Sequence, residues 1–156
     1  MKNKVLFVYH YDRDSWRANR VLLNWNAKGT WDVVGGMDLQ TWQNVKIRGG
    51  FAVNRYFTGL LDGTCATVVL YGPETSRQNY VQHTLEESIK RGNGILAIDI
   101  HNIQDQDLKT DAKGENPLHS LPSGSSPPAG RYQQYDWVTA NGPSNLESWL
   151  AKVAKR

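Results

Sequence analysis

The chain has 156 residues, 39% of them hydrophobic and 21% charged, which suits one folded domain with a sizeable core and excludes a disordered chain. Its formal net charge is +3, but lysine and arginine are scattered, so a nucleic-acid-binding surface is not expected, and the single cysteine, Cys65, excludes an internal disulfide. The sequence has neither a signal-peptide pattern nor a stretch approaching ~20 apolar residues, so we expect a cytoplasmic protein that makes no membrane contact.

Five short apolar segments are predicted to form strands. In chain order they are residues 4–10, 30–36, 65–71, 94–100 and 131–138. The first, third and fourth are continuous apolar runs rich in β-branched or aromatic residues. Continuous runs are typical of strands that are buried on both faces of a parallel sheet.

Helical patterns lie between these segments. The first covers residues 13–25 and is expected to turn Trp16, Val21 and Leu23 towards the core. The second covers residues 51–61, directly before the third predicted strand. Alternating strands and helices of this kind indicate an α/β fold.

The segment 80–91 has the clearest helical pattern. Its apolar stripe recurs at every fourth position, at Val81, Leu85 and Ile89. We expect Thr75 or Ser76 to be the N-cap and Gly92 to end the helix. His83 lies nearly opposite the stripe and is expected to face solvent.

A last helix follows the fifth predicted strand, with Ser144 as its expected N-cap. Its predicted inward residues are Leu146, Trp149, Leu150 and Val153. The element order predicts an α/β fold with a doubly wound, mostly parallel, five-stranded sheet in a single domain over 1–156. Residues 102–130 form a long irregular loop, which we expect to border a pocket mouth or an oligomer contact and to become ordered on ligand or partner binding.

Ligands of open α/β sheets bind at the carboxyl ends of the strands. Aromatic rings, histidines and carboxylates gather at these ends, in segments 9–12, 35–38, 71–74 and 99–102. A crevice built from them could stack a purine or pyridine ring and hold ribose hydroxyls.

Several of these residues also have a simpler structural interpretation. His10 and His101 could be ordinary histidines at strand ends. Asp12 or Asp14 could cap the first helix, and Asp38 could cap a short turn. The sequence leaves both interpretations open.

Several classes of site are disfavoured by missing motifs. The sequence contains neither GxGxxG nor GxxxxGK[ST], which argues against a classical dinucleotide fold and a P-loop. It has no Cys/His set with metal spacing and no GxSxG motif, so no metal is expected and Ser/His/Asp hydrolysis has little support. The third strand ends in Tyr71-Gly72 instead of a phospho-accepting aspartate, which disfavours a response regulator.

Four segments in a fixed order carry a family resemblance: "VLFVYHYDRDSWRANRVLLNW", "TVVLYGPETSRQNYVQHTLEESIKRGNGILAIDIHNIQD", "KGENP" and "YDWV". Over nearly its whole length the chain resembles the bacterial TIR-like family, which has a flavodoxin-like fold, and in particular the TIR-like subunits of Thoeris antiphage systems. The resemblance implies an enzyme that cleaves the nicotinamide–ribose bond of NAD. It also implies that the ADP-ribose-derived product activates a partner effector during phage infection, with a phage protein or homo-oligomer assembly as the expected trigger.

The resemblance also implies a substrate site. His10, Tyr11, Asp38 and Tyr80 would line the NAD pocket, with Arg77 as a further candidate on the same helix flank as Tyr80. NAD would be the substrate, so no separate cofactor is expected. Tyr80 stands where the family usually has tryptophan.

A second position departs from the family pattern. The catalytic glutamate is expected four residues after Tyr80, where this chain has Thr84. Glu87, one turn further on, is the alternative carboxylate, although it could simply pair with Arg91 on a solvated face. We therefore name Thr84 and Glu87 as the candidate catalytic positions.

Three alternatives follow from Thr84. Glu87 replaces the glutamate, a partner subunit supplies the charge, or the protein is a degenerate TIR-like module that binds a nucleotide or a partner without catalysis. If the rest of the pocket is intact, the substitution Thr84→Glu is expected to switch on NAD cleavage. In a degenerate module, Glu87→Gln should change nothing.

Overall fold

The computed structural model describes residues 3–26, 31–122, 124–127 and 130–155. The strands are β1 (Asn3–Tyr9), β2 (Trp31–Val34), β3 (Thr64–Tyr71), β4 (Gly94–Asp99) and β5 (Tyr132–Asp136). The helices are α1 (Tyr11–Asn26), α2 (Leu39–Lys46), α3 (Gly50–Leu60), α4 (Asn79–Lys90) and α5 (Gly142–Val153). Two 3₁₀ turns, Thr75–Arg77 and Pro117–Ser120, lie in the connections. Residue 30 of the second predicted strand and residues 123, 128 and 129 of the predicted loop lie outside the described residues.

The five strands form one parallel sheet in the order β2-β1-β3-β4-β5. Helix α1 packs against α5, and α3 packs against α4, so helices cover both faces of the sheet. The predicted α/β, doubly wound, five-stranded and flavodoxin-like architecture is therefore confirmed.

Burial follows the apolar pattern of the strands. Every residue of β4 is buried, as are the last five residues of β1, whereas the edge strands β2 and β5 are only partly buried. The continuous runs thus lie in the centre of the sheet, where both faces are covered by helices.

The inward face of α1 differs from the prediction. The helix begins at Tyr11, and its buried positions are Tyr11, Asp14, Ala18, Val21, Leu22 and Trp25. These follow the helical repeat of three and four residues. Trp16 and Leu23 fall off that stripe and are 40% and 69% exposed, so their predicted inward orientation is wrong, while that of Val21 is confirmed.

Helix α2 was not predicted. Asp38 is its N-cap and accepts a hydrogen bond from the amide of Thr41 at 2.7 Å. Trp42 and Val45 form its buried face. The prediction that Asp38 caps a turn is confirmed for the capping, but the capped element is an eight-residue helix and not a short turn.

Two predicted helix caps are wrong. Thr75 and Ser76 lie in a buried 3₁₀ turn, and the Thr75 hydroxyl accepts a hydrogen bond from the amide of Gly72 there. Helix α4 starts later, with Gln78 at the N-cap position. Helix α5 starts before Ser144, with Asn141 at its N-cap position. The predicted inward face of α5 is confirmed, since Leu146, Trp149, Leu150 and Val153 are all buried.

The long connection between β4 and β5 is anchored by hydrogen bonds to α1 and to β5. Arg17 of α1 donates to the carbonyl of Ile103 at 2.8 Å, and Asn116 donates to the hydroxyl of Tyr132 at 2.6 Å. A Cβ on Gly114 would lie 2.0 Å from the carbonyl oxygen of Gly72, so this loop and the β3–α4 turn are in direct backbone contact. Within the described ranges, no helix is both long and apolar enough to span a bilayer.

Candidate functional site

The carboxyl edge of the sheet has a topological switch point between β1 and β3. Strand order reverses there, because β2 lies on one side of β1 and β3 on the other. Flavodoxin-like sheets bind ligands in the crevice at this point. The turn 10–12 after β1 and the turn 72–78 after β3 flank it.

A pocket of about 240 Å³ opens beside the switch point, between the start of α1 and helices α2, α3 and α4. It combines one carboxylate, Asp12, with one cation, Lys46, and two aromatic rings, Trp42 and Tyr80. Three side-chain amides complete its polar lining: Asn54, Gln78 and Asn79. We refer to this cavity as the switch-point pocket.

The inner wall of the switch-point pocket is a packed aromatic cluster. The ring of Tyr80 lies 5.0 Å from that of Trp42 and 5.3 Å from that of Phe57, measured between ring centroids. Tyr11 stacks on Trp42 at 4.9 Å and lies 5.9 Å from Tyr80, so the three rings contact one another. Tyr11 is fully buried, and Tyr80 is 8% exposed. Burial and ring contacts of this kind fix the wall firmly in place.

Hydrogen bonds hold the two tyrosines in the cluster. The Tyr80 hydroxyl donates to the carbonyl of Tyr9 at 2.7 Å and accepts from the amide of Tyr11 at 3.2 Å. The Tyr11 hydroxyl donates to the carbonyl of Gly35 at 2.8 Å. Burial raises the pKa of both phenols well above the ordinary value, so neither contributes negative charge at neutral pH.

The five predicted substrate-binding residues do not line one cavity. Tyr80 lines the switch-point pocket, while Asp38 lines a separate cleft of about 700 Å³ beside the edge strand β2. Tyr11 lies in the core, and Arg77 is exposed in the 3₁₀ turn. His10 is half-buried at the start of α1, and its Nδ1 has no hydrogen-bond partner among the described residues. The binding roles of these residues stay predictions.

Thr84 and Glu87 lie away from the pocket lining. Thr84 is fully buried, and its hydroxyl donates to the carbonyl of Tyr80 at 2.7 Å, within its own helix. The Glu87 side chain is 25% exposed and pairs with Lys90 at 3.3 Å, not with Arg91 as the solvated-face interpretation expected. Glu87 lies seven residues after Tyr80, or about 10 Å along the helix.

Helix α4 differs from prediction at two further residues. Arg91 pairs with Asp62 at 2.8 Å. His83 is half-buried, and its Nε2 lies 2.8 Å from the hydroxyl of Thr58 on α3, so its predicted solvent-facing orientation is wrong.

A charged cluster centred on Arg13 lies at the start of α1, next to the switch point. The guanidinium of Arg13 makes two hydrogen bonds to the carboxylate of Asp111, at 2.6 and 2.9 Å, and also pairs with Asp14 and Glu74. Asp14 is 1% exposed, and burial raises its pKa. The hydrogen bonds from Arg13 lower the pKa of Asp111. The cluster ties the β4–β5 loop to α1 and to the β3–α4 turn.

Asp111→Asn is expected to lower the free energy of unfolding by about 1 kcal/mol at pH 7, because it removes a charge-assisted, two-bonded pair. The lowered pKa of Asp111 means that this contribution is present above the unfolded-state pKa, about 3.9, and is lost as pH falls through the folded-state pKa. Urea unfolding at pH 7 and pH 3 measures the difference. Asp107→Asn, in an exposed part of the same loop, is the control and should show little change. An equal loss at both pH values would contradict the ion-pair explanation.

Sequence reasoning placed Asp99 and His101 at the carboxyl edge but did not predict that they form a polar group with Asp136. Asp99, His101 and Asp136 lie at the ends of β4 and β5, with ligand-type atoms within 4.8 Å of one another. His101 Nδ1 lies 2.6 Å from Asp99 Oδ1, and Asn102 donates to Asp136 Oδ2 at 2.7 Å. The Asp-x-His spacing at one strand end and the aspartate closing the next strand could have indicated it. Asp99 Oδ1 and both carboxylate oxygens of Asp136 accept hydrogen bonds, and Asp99 and Asp136 also line a cleft of about 240 Å³.

Comparison with known proteins gives the family. The family model described as "Thoeris protein ThsB, TIR-like domain" matches residues 7–105. The chain is also 30% identical over 139 residues to a protein of Bacillus cereus (strain MSX-D12) named "Putative cyclic ADP-D-ribose synthase ThsB1". The similarity covers 88% of this chain and 72% of that relative. The parallel sheet of order β2-β1-β3-β4-β5 with helices on both faces defines a flavodoxin-like α/β domain. Within that class, the chain belongs to the ThsB TIR-like family of Thoeris systems.

Proposed function

We propose that this protein cleaves NAD at the nicotinamide–ribose bond and makes an ADP-ribose-derived signal, cyclic or conjugated, for a partner effector in antiphage defence. Family membership and the name of the B. cereus relative support this proposal. The structural observation that carries it is the switch-point pocket, which has aromatic rings, amides and a carboxylate at the ligand-binding edge of the sheet.

The size and lining of the pocket suit one end of NAD. A volume of about 240 Å³ is below the roughly 300–1,000 Å³ of pockets that enclose a drug-sized ligand. It suits the nicotinamide and its ribose, with the ADP part extending over the surface. The rings of Trp42 and Tyr80 can pack against the nicotinamide ring, and the amides can bond its carboxamide or the ribose hydroxyls.

The chemistry requires charge stabilisation more than acid catalysis. Nicotinamide in NAD is already a cationic leaving group, so it needs no proton to depart. The ribose becomes oxocarbenium-like, and a nearby carboxylate stabilises it. Thr84 can hold a hydroxyl group but cannot offset positive charge, and Glu87, the alternative carboxylate predicted from the sequence, pairs with Lys90 outside the pocket lining.

The test is incubation of the purified full-length chain with NAD, followed by chromatography and mass determination of the products. We expect free nicotinamide together with one ADP-ribose-derived product, alone or in the presence of a phage trigger. Absence of nicotinamide under conditions where a glutamate-bearing relative is active would overturn the proposal. Varying protein concentration in the same assay reports whether a homo-oligomer is required.

The second candidate function is a TIR-like module that binds a nucleotide or partner without turnover. The burial of Thr84, with its hydroxyl bonded within its own helix, favours this alternative. Calorimetric titration with NAD distinguishes the two functions. Binding without nicotinamide release supports the module, and binding with release supports the enzyme.

A further inference from the structure

We infer that Asp12 is the catalytic carboxylate of the switch-point pocket and does the work of the glutamate that this chain lacks at Thr84. This inference rests on the proposed function. It starts from the charges of the pocket: in the part of the chain that the structure describes, Asp12 and Lys46 are the charged residues of the lining, and Asp12 carries its only carboxylate.

The fold places Asp12 at the edge of the sheet where ligands of this fold bind. It follows β1 directly, in the first turn of α1, so it sits at the carboxyl edge beside the switch point. The hydroxyl of its neighbour Tyr80 accepts from the amide of Tyr11, which fixes the start of α1 against α4. The carboxylate therefore projects from a rigid turn, as an electrostatic catalyst requires.

Lys46 pairs with the Asp12 carboxylate but leaves it open to the pocket. The Nζ of Lys46 lies 3.1 Å from Asp12 Oδ2, and the side chains are 50% and 36% exposed. An exposed pair of this kind contributes little to stability, so the lysine can move aside at low cost. A positively charged nicotinamide ring can then take its place beside the carboxylate.

The reaction balances with these groups alone. The bond between the nicotinamide nitrogen and ribose C1′ breaks, and both electrons go to the nitrogen, which leaves as neutral nicotinamide. Asp12 stabilises the positive charge left at C1′. An oxygen nucleophile, either water or a hydroxyl of the same ADP-ribose, bonds to C1′ and releases its proton to solvent.

The test compares wild type with Asp12→Asn, which keeps the shape of the side chain and removes its charge. Nicotinamide release is measured under the conditions of the NAD assay above, together with thermal unfolding to check the fold. We expect kcat to fall by about 10²–10³ with KM within a few fold, because the lost contact acts on the transition state. Asp12→Glu, which keeps the charge, should retain more activity than Asp12→Asn.

Asp62→Asn is the matched control. Asp62 is also an exposed aspartate paired with a cation, Arg91 at 2.8 Å, but it does not line the pocket. Its variant should have wild-type activity. An active wild type with an equally active Asp12→Asn would overturn this inference and leave the proposed function standing. A wild type that releases no nicotinamide would overturn the proposed function and this inference with it.

Discussion

Thr84→Glu is expected to lower the free energy of unfolding by on the order of 3 kcal/mol and not to switch on NAD cleavage. The sequence alone predicts the opposite for an intact pocket, since glutamate is the family residue at this position. Thr84, however, is fully buried and bonded to the carbonyl of Tyr80, and it does not line the switch-point pocket. A glutamate there must bury an unpaired charge or force α4 away from the sheet. Urea unfolding and nicotinamide release together measure both effects.

Thr84→Val is the control for the volume of the side chain. It removes the hydroxyl but keeps the shape, and the Tyr80 carbonyl remains bonded within the helix. We expect a change of less than about 1 kcal/mol. A Thr84→Glu variant as stable as wild type that releases nicotinamide faster would contradict the structure at this position. It would show that residue 84 reaches the substrate after all.

The central sheet could be predicted because burial on both faces leaves a continuous apolar run. The predicted segments 65–71 and 94–100 agree with β3 and β4 to within one residue at each end. The edge strand β2 gives a weaker signal, because it is only partly buried and four residues long. Its predicted range of 30–36 therefore extended into the turn that follows.

The helices were harder to predict than the strands, because a small error in a helix's first residue changes which of its residues are predicted to face the core. Predicting α1 from residue 13 missed Tyr11, whose buried ring sets the phase of the whole stripe. Helix α2 escaped prediction although its signals were present: an N-cap at Asp38, buried positions at Trp42 and Val45, and Lys46 in the last turn. Eight residues are few for a periodic pattern to be recognised.

The candidate site could be predicted only as a region of the sheet. Sequence placed aromatic and charged residues at the strand ends, but it could not show which rings pack on each other. Tyr11 and Tyr80 look alike in sequence, yet Tyr11 is sealed in the core while Tyr80 reaches the pocket wall. Asp12 was predicted as a strand-end residue or a helix cap, and the sequence could not decide between them because its position beside α2 and α4 depends on long-range packing.

Gly35→Ala is expected to lower the free energy of unfolding by roughly 3 kcal/mol, through two separate costs. Gly35 has a φ of +90°, a conformation that costs an alanine about 1–2 kcal/mol. An added Cβ would also lie 2.2 Å from the carbonyl oxygen of Phe7 on β1, so backbone must shift at a typical further cost of 1–3 kcal/mol. The Gly35 carbonyl accepts a hydrogen bond from the hydroxyl of Tyr11. A backbone shift at Gly35 therefore also loosens the aromatic wall of the pocket.

Gly36→Ala separates this packing argument from a general effect of removing glycine. A Cβ on Gly36 would meet only the Cδ1 and Cδ2 of Leu22, at 3.4 and 3.8 Å, and Gly36 does not have a left-handed φ. Its variant should unfold within about 0.5 kcal/mol of wild type, or slightly later, because alanine restricts the unfolded chain. Urea unfolding measures both variants, and near-UV circular dichroism reports the packing of the buried aromatic rings. Equal stability of the two variants would mean that the β2–α2 turn can move away from β1 at little cost. It would then contradict the claim that the Tyr11–Gly35 hydrogen bond holds the aromatic wall in place.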